Sequence, residues 1–162
     1  MPPRKSPDPA AYVALALRVV LGGWFVYSGY KKIFVAGLSE YTRAVANYKL
    51  VHPPLDAVVA YTVPWVEIIS GALLVIGLWK RGALWVMAGL VAVFAFGVGH
   101  AWHENLNIAC GCDGNSTGPA MNYSLKFLEF GAYWLAIFFI WILSRKGNDY
   151  VFGGTRLKLP GQ

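Results

Sequence analysis

Charge is what this sequence has least of. Among 162 residues there are 14 Lys or Arg and 8 Asp or Glu, 14% in all, where a soluble domain averages about a quarter. That deficit argues against an ordinary water-facing surface and for a bilayer. Cysteine is nearly absent: the chain has two, Cys110 and Cys112, one residue apart. No internal repeat and no low-complexity segment stands out. The net charge of +6 forms no basic stripe interleaved with stacking aromatics, so no nucleic acid is expected as a partner. The opening "MPPRKSPDPA" is basic and Pro-rich, and the apolar run after it is too long for a signal-peptide core.

What is abundant is apolar length. The chain is 57% hydrophobic and 15% aromatic, and its length fits one domain. A helix needs about 20 apolar residues to span the hydrocarbon, and four stretches qualify: about 12–34, 55–78, 82–102 and 123–143. The expected fold is all-α, an integral membrane four-helix bundle over residues 12–144. Basic tails at 1–11 and 145–162 flank it, both expected to be cytoplasmic. The second and third spans are joined only by "WKRG", which predicts a tight antiparallel hairpin.

Lys and Arg set the orientation. Arg4, Lys5, Lys80, Arg81, Arg145, Lys146, Arg156 and Lys158 fall on one side, and Lys31, Lys32, Arg43, Lys49 and Lys126 on the other. Eight against five makes the first side cytoplasmic. The stretch 103–122 has no Lys or Arg, as suits an outward, periplasmic loop of a multi-pass protein of the bacterial inner membrane. Between the first two spans, Leu38, Tyr41, Val45 and Tyr48 recur at helical spacing. Ser39 is placed to cap that helix and Pro53-Pro54 to stop it. The natural reading is an amphipathic helix on the outer surface.

The outward loop carries both cysteines, in "GHAWHENLNIACGCDGNSTG". Disulfides persist in the oxidising space outside an inner membrane. Cysteines at i and i+2 close only a very small ring, and Gly111 lets the backbone bend as that ring requires. Such a bond constrains little chain entropy and is easily reduced when strained and exposed. The spacing therefore argues for exchange chemistry more than for a staple. Three alternatives stay open: reduced bystanders, a structural loop lock, or a metal site shared with His100, His103 or Glu104. The last lacks the usual spacing of structural zinc sites.

Ionisable groups at membrane depth usually have a partner or a task. Glu67 lies near the middle of the second span and Arg18 about two turns into the first. Helical rise places them roughly 5–8 Å apart in depth, so a Glu67–Arg18 pair is expected. The functional alternative has Glu67 holding a quinone head group or passing a proton. Glu129 is expected to form salt bridges with Lys31, Lys32 or Lys126. Trp24, Tyr27, Tyr30, Tyr61 and Trp65 gather toward the outer half of the first two spans. They are interface anchors or the flat walls of a quinone site, with Trp24, Tyr27 and Trp65 as candidate cofactor contacts. Glycines within the spans permit close helix crossings.

Three stretches carry a resemblance. "RVVLGGWFVYSGYKKI" resembles the first helix of DoxX-like membrane proteins. "AVANYKLVHPPLDAVVAYTVPWVEIISGALLVIGLWKRGA" and "NIACGCDG" resemble the related MauE group of methylamine-utilisation membrane proteins. The likeness covers about residues 18–143, and Asp113 departs from the Phe usual in that loop. The resemblance implies a four-helix membrane protein tied to thiol redox, with Cys110, Cys112 and Glu67 at matching functional positions. It implies a periplasmic thioredoxin-like partner and, through the DoxX side, quinone-linked complexes. Two functions follow as expectations: a thiol–disulfide carrier passing electrons to quinone, or a non-catalytic assembly subunit of a larger membrane redox complex. A transporter ranks last, because four short helices leave little room for a polar pathway.

Overall fold

The computed structural model of the chain describes residues 9–109, 111 and 120–145, with side chains over 12–109, 111 and 120–144. Both cysteines and most of the two tails lie outside the described residues. Helix α1, Pro9–Tyr30, runs on into a π-helical segment, Lys31–Val35. It is followed by α2, Leu38–Asn47, α3, Leu55–Ile76, α4, Lys80–His103, and α5, Tyr123–Arg145, with no strand among the described residues. Four stretches are long and apolar enough to cross a membrane: Tyr12–Val35, Leu55–Ile76, Lys80–His103 and Tyr123–Ser144. The protein is an all-α, integral membrane four-helix bundle, with α2 packed at the end that also carries the 104–122 loop.

The exterior confirms the solvent. Val20, Trp85, Phe96 and Leu128 are each about 70% exposed on the spanning helices (71%, 72%, 68% and 72%). A water-soluble monomer rarely leaves large apolar side chains this bare along its long helices, whereas lipid accepts them. Inside, Leu21, Phe25, Leu74, Met87, Val91 and Ile140 form the central cluster.

Helices α1 and α3 meet most closely, because the crossing is built from glycine. A Cβ on Gly22 would lie 2.7 Å from the Gly71 carbonyl oxygen, and one on Gly71 would lie 2.5 Å from that of Gly22. Only residues without side chains allow such backbone contact. This crossing fixes the antiparallel register of α1 against α3, and the register overturns the expected Glu67–Arg18 pair. Arg18 Nε instead donates to the Leu74 carbonyl at 3.1 Å, so the guanidinium caps the last turn of α3, where cations are favoured. Leu74 is seven residues beyond Glu67, roughly 10 Å along the helix, too far for that pairing.

Other local expectations shift as well. The α3–α4 turn is Gly77-Leu78-Trp79, with Gly77 at φ 89° and Trp79 at φ 48°, and Lys80 and Arg81 open α4 instead of forming the turn. Helix α2 starts after Gly37, at φ 86°, with no capping role for Ser39. It ends at Tyr48, where Lys49 turns left-handed at φ 55°, well before Pro53-Pro54. Its expected apolar face is real: Tyr41 and Ala44 are buried against Ala60 of α3.

Candidate functional site

The loop after α4 is pinned at both ends. The Leu106 N–H donates to the Ala101 carbonyl at 2.9 Å, and the Met121 N–H to the Ile108 carbonyl at 3.0 Å. The Tyr123 hydroxyl donates to the Leu106 carbonyl. Between these ties sits Gly111, buried, in the left-handed region at φ 65°. A Cβ there would come within 3.0 Å of the Ala44 Cβ on α2. A glycine is therefore required twice over, by its dihedral and by its contact. The residues on either side of it, Cys110 and Cys112, lie outside the described residues.

Gly111 also forms part of the wall of an apolar cavity of about 170 Å³, with Tyr41, Tyr48, Val59, Val63, Phe94 and Val98 among its other walls. Two of those walls are phenols held neutral. Burial, then the nearby Tyr123, pushes the Tyr48 hydroxyl up to about 12. Burial, with help from the charge of Glu67, pushes Tyr41 well above the ordinary phenol range.

Behind Tyr41 and Phe94 lies an ion pair that the sequence did not announce. Lys32 Nζ donates to Glu67 Oε1 at 2.6 Å, with the two side chains 1% and 2% exposed. The ammonium stands 4.8 Å from the Phe94 ring centre and 5.3 Å from that of Tyr41, a cation–π distance to both. Lys32 was expected among the outer flanking cations. It turns inward because the chain winds as a π-helix there, with the Ala36 N–H reaching back to the Lys31 carbonyl at 2.9 Å. Single π turns often sit at functional sites, and no sequence pattern marks this one. The other carboxylate oxygen, Glu67 Oε2, is buried with no hydrogen-bond partner among the described residues.

Lys32 and Glu67 form the floor of a second cavity, about 270 Å³, enclosed by α1, α4 and α5. On its α5 side Lys126 Nζ donates to Glu129 Oε2 at 2.7 Å and the Tyr133 hydroxyl to Glu129 Oε1 at 2.6 Å. The expected salt bridging of Glu129 is thus made with Lys126, while Lys32 goes to Glu67. Trp24 and Tyr27 line this cavity, their ring centres 6.0 Å apart. Trp65 is 49% exposed and lines neither cavity. The aromatic trio therefore divides, and none of it lines the cavity beside Gly111.

The histidines do not converge. His103 is 85% exposed and within 3.3 Å of Glu104, while His100 Nδ1 is buried without a hydrogen-bond partner among the described residues. Among the described residues no three His, Cys, Asp or Glu side chains gather as a metal site. Phe94, Phe130 and Tyr133, which shape the cavities, were missed at the sequence level. Their spacing on α4 and α5 looks like that of any lipid-span aromatic.

Comparison with known families matches residues 10–144 to the family described as Methylamine utilisation protein MauE. No curated protein and no solved structure matches the chain. Because the match covers nearly the whole helical bundle, the chain belongs to the MauE family.

Proposed function

We propose that this MauE-family membrane protein is a carrier in periplasmic thiol–disulfide chemistry, with quinone as its electron acceptor. The termini lie in the cytoplasm, the 104–122 loop faces the periplasm, and the membrane is the bacterial inner membrane. A reduced, thioredoxin-like partner attacks a Cys110–Cys112 disulfide and forms a mixed disulfide. The partner's second thiol resolves it, leaving the partner oxidised and the pair as two thiols. Those thiols give two electrons and two protons to a quinone ring, which leaves as hydroquinone, and the Cys110–Cys112 bond reforms.

The observation that supports this reading is the seat of Gly111. The one described residue of the Cys-Gly-Cys segment is buried against α2 at φ 65°, on the wall of an apolar cavity inside a membrane bundle. Both cysteines are bonded to that residue, so an apolar ring entering the cavity would meet the loop that bears them. The small ring of a Cys-x-Cys disulfide suits exchange better than stapling.

Trapping tests it. In cells carrying Cys112→Ser, the lone Cys110 thiolate attacks the disulfide of an oxidised partner, the reverse of the forward exchange, and is expected to hold a thioredoxin-like protein in a mixed disulfide that reductant releases. If neither Cys112→Ser nor Cys110→Ser traps any partner while the protein remains in the membrane, the carrier function is wrong.

A further inference from the structure

The larger cavity is separate from the cysteine loop, and its chemistry is more specific. Its polar groups are already matched in charge: Lys32 with Glu67, and Lys126 with Glu129. A ligand there should be neutral, since an added charge would disturb two balanced pairs in a low-dielectric setting. One acceptor remains unsatisfied, Glu67 Oε2, on a side chain 2% exposed that lines the cavity. Leaving a buried charged acceptor unpaired is expensive, so the ligand should supply an O–H or N–H. The remaining walls include the flat rings of Trp24, Phe25, Phe130 and Tyr133.

Depth narrows the choice further. The α5 residues of the cavity run from Lys126 to Tyr133 in a helix that starts at Tyr123, roughly 5–15 Å below that helix end. That is too deep for a phospholipid head group and right for a ring dissolved in the bilayer. Half-exposed Trp24 and Tyr27 edge the cavity on the bundle's lipid side, so a ligand can enter sideways from lipid.

We infer that the cavity between α1, α4 and α5 binds the ring of a bilayer-dissolved hydroquinone, with Glu67 Oε2 accepting one of its hydroxyl hydrogens. Lys32 holds the carboxylate in place through Oε1, and on the α5 side Lys126 has further ammonium hydrogens to donate, while Tyr133, whose own hydroxyl hydrogen goes to Glu129, offers its oxygen as an acceptor. The site stands whether or not the cysteines exchange thiols.

The test uses the full chain in nanodiscs under anaerobic conditions. A short-chain benzohydroquinone and its quinone are titrated separately while tryptophan fluorescence is followed. Hydroquinone should quench saturably, and the quenching should be lost in Trp24→Phe. In Glu67→Gln, a carboxamide N–H₂ can replace the accepting oxygen. Hydroquinone affinity should then fall about tenfold or more, as expected for loss of a hydrogen bond to a charged group, while quinone affinity holds or rises. If Glu67→Gln does not fold, Phe130→Trp serves instead: it fills the cavity and should abolish binding of both forms. The double variant Cys110→Ser/Cys112→Ser should bind hydroquinone as the parent does, which separates this site from the thiol chemistry. The proposal is overturned by absence of saturable quenching in the parent, by unchanged hydroquinone affinity in Glu67→Gln or Phe130→Trp, or by loss of binding in the double cysteine variant.

Discussion

Two cavities share the ring of Phe94 as a wall, yet they are built from opposite materials. The one beside Gly111 is made largely of valines, with two phenols held neutral. The one between α1, α4 and α5 is floored by a buried Lys–Glu pair and faced by a second pair on α5. The difference shows how a single π turn changes what a membrane bundle can hold. It swings Lys32 under α2, away from the flank, and the ammonium then supplies Glu67 with the partner that a buried carboxylate needs.

The largest effect should come from breaking that floor. Lys32→Met leaves Glu67 as an uncompensated buried charge and should destabilise the bundle by about 3–5 kcal/mol, read as thermal unfolding in nanodiscs. Lys32→Met/Glu67→Met should recover most of the loss, because an apolar pair of similar volume can replace a buried ion pair. If the double variant is as unstable as the single one, Lys32 matters for some reason other than pairing.

The floor presupposes the α1–α3 crossing. Gly71→Val places carbon about where the Gly22 carbonyl now sits, 2.5 Å from a bare Cβ. It should cost about 1–3 kcal/mol, the usual range for overpacking. Gly23→Val, at a position with nothing near its Cβ, is the control and should cost much less.

At the apolar cavity the expected effect is smaller and local. Gly111→Ala meets both a left-handed dihedral and the Ala44 methyl. A penalty of about 1–2 kcal/mol follows from the dihedral. It should appear as faster hydrogen exchange at the loop with the spanning helices unchanged.

Alkali distinguishes the cavities further. The Tyr48 hydroxyl is raised from 10.0 to about 12, so between those pH values the unfolded chain loses its proton first. Its contribution is whole below pH 10 and fades as pH rises toward 12. Tyr48→Phe should flatten that alkaline fall in stability.

Much of this architecture was legible from residue order. Four apolar runs, the short second connection, and the Leu38–Tyr41–Val45–Tyr48 face of α2 each follow from a simple period or length. The Glu129–Lys126 bridge follows from their three-residue spacing on one helix. What escaped depends on register. Arg18 and Glu67 sit at plausible relative depths, but the glycine crossing of α1 on α3 places Leu74 opposite Arg18. Lys32 reads as a flanking cation because a π turn has no sequence signature. Trp24 and Trp65 look equivalent as span aromatics, yet of the two only Trp24 lines either of these two cavities.

The carrier account is tested most directly by the redox state of Cys110 and Cys112 in intact cells, measured by mass-tag alkylation before and after quinone synthesis is blocked. The account predicts a pair that is mostly oxidised with quinone present and accumulates as two tagged thiols without it. Two thiols that remain free in both conditions would contradict it.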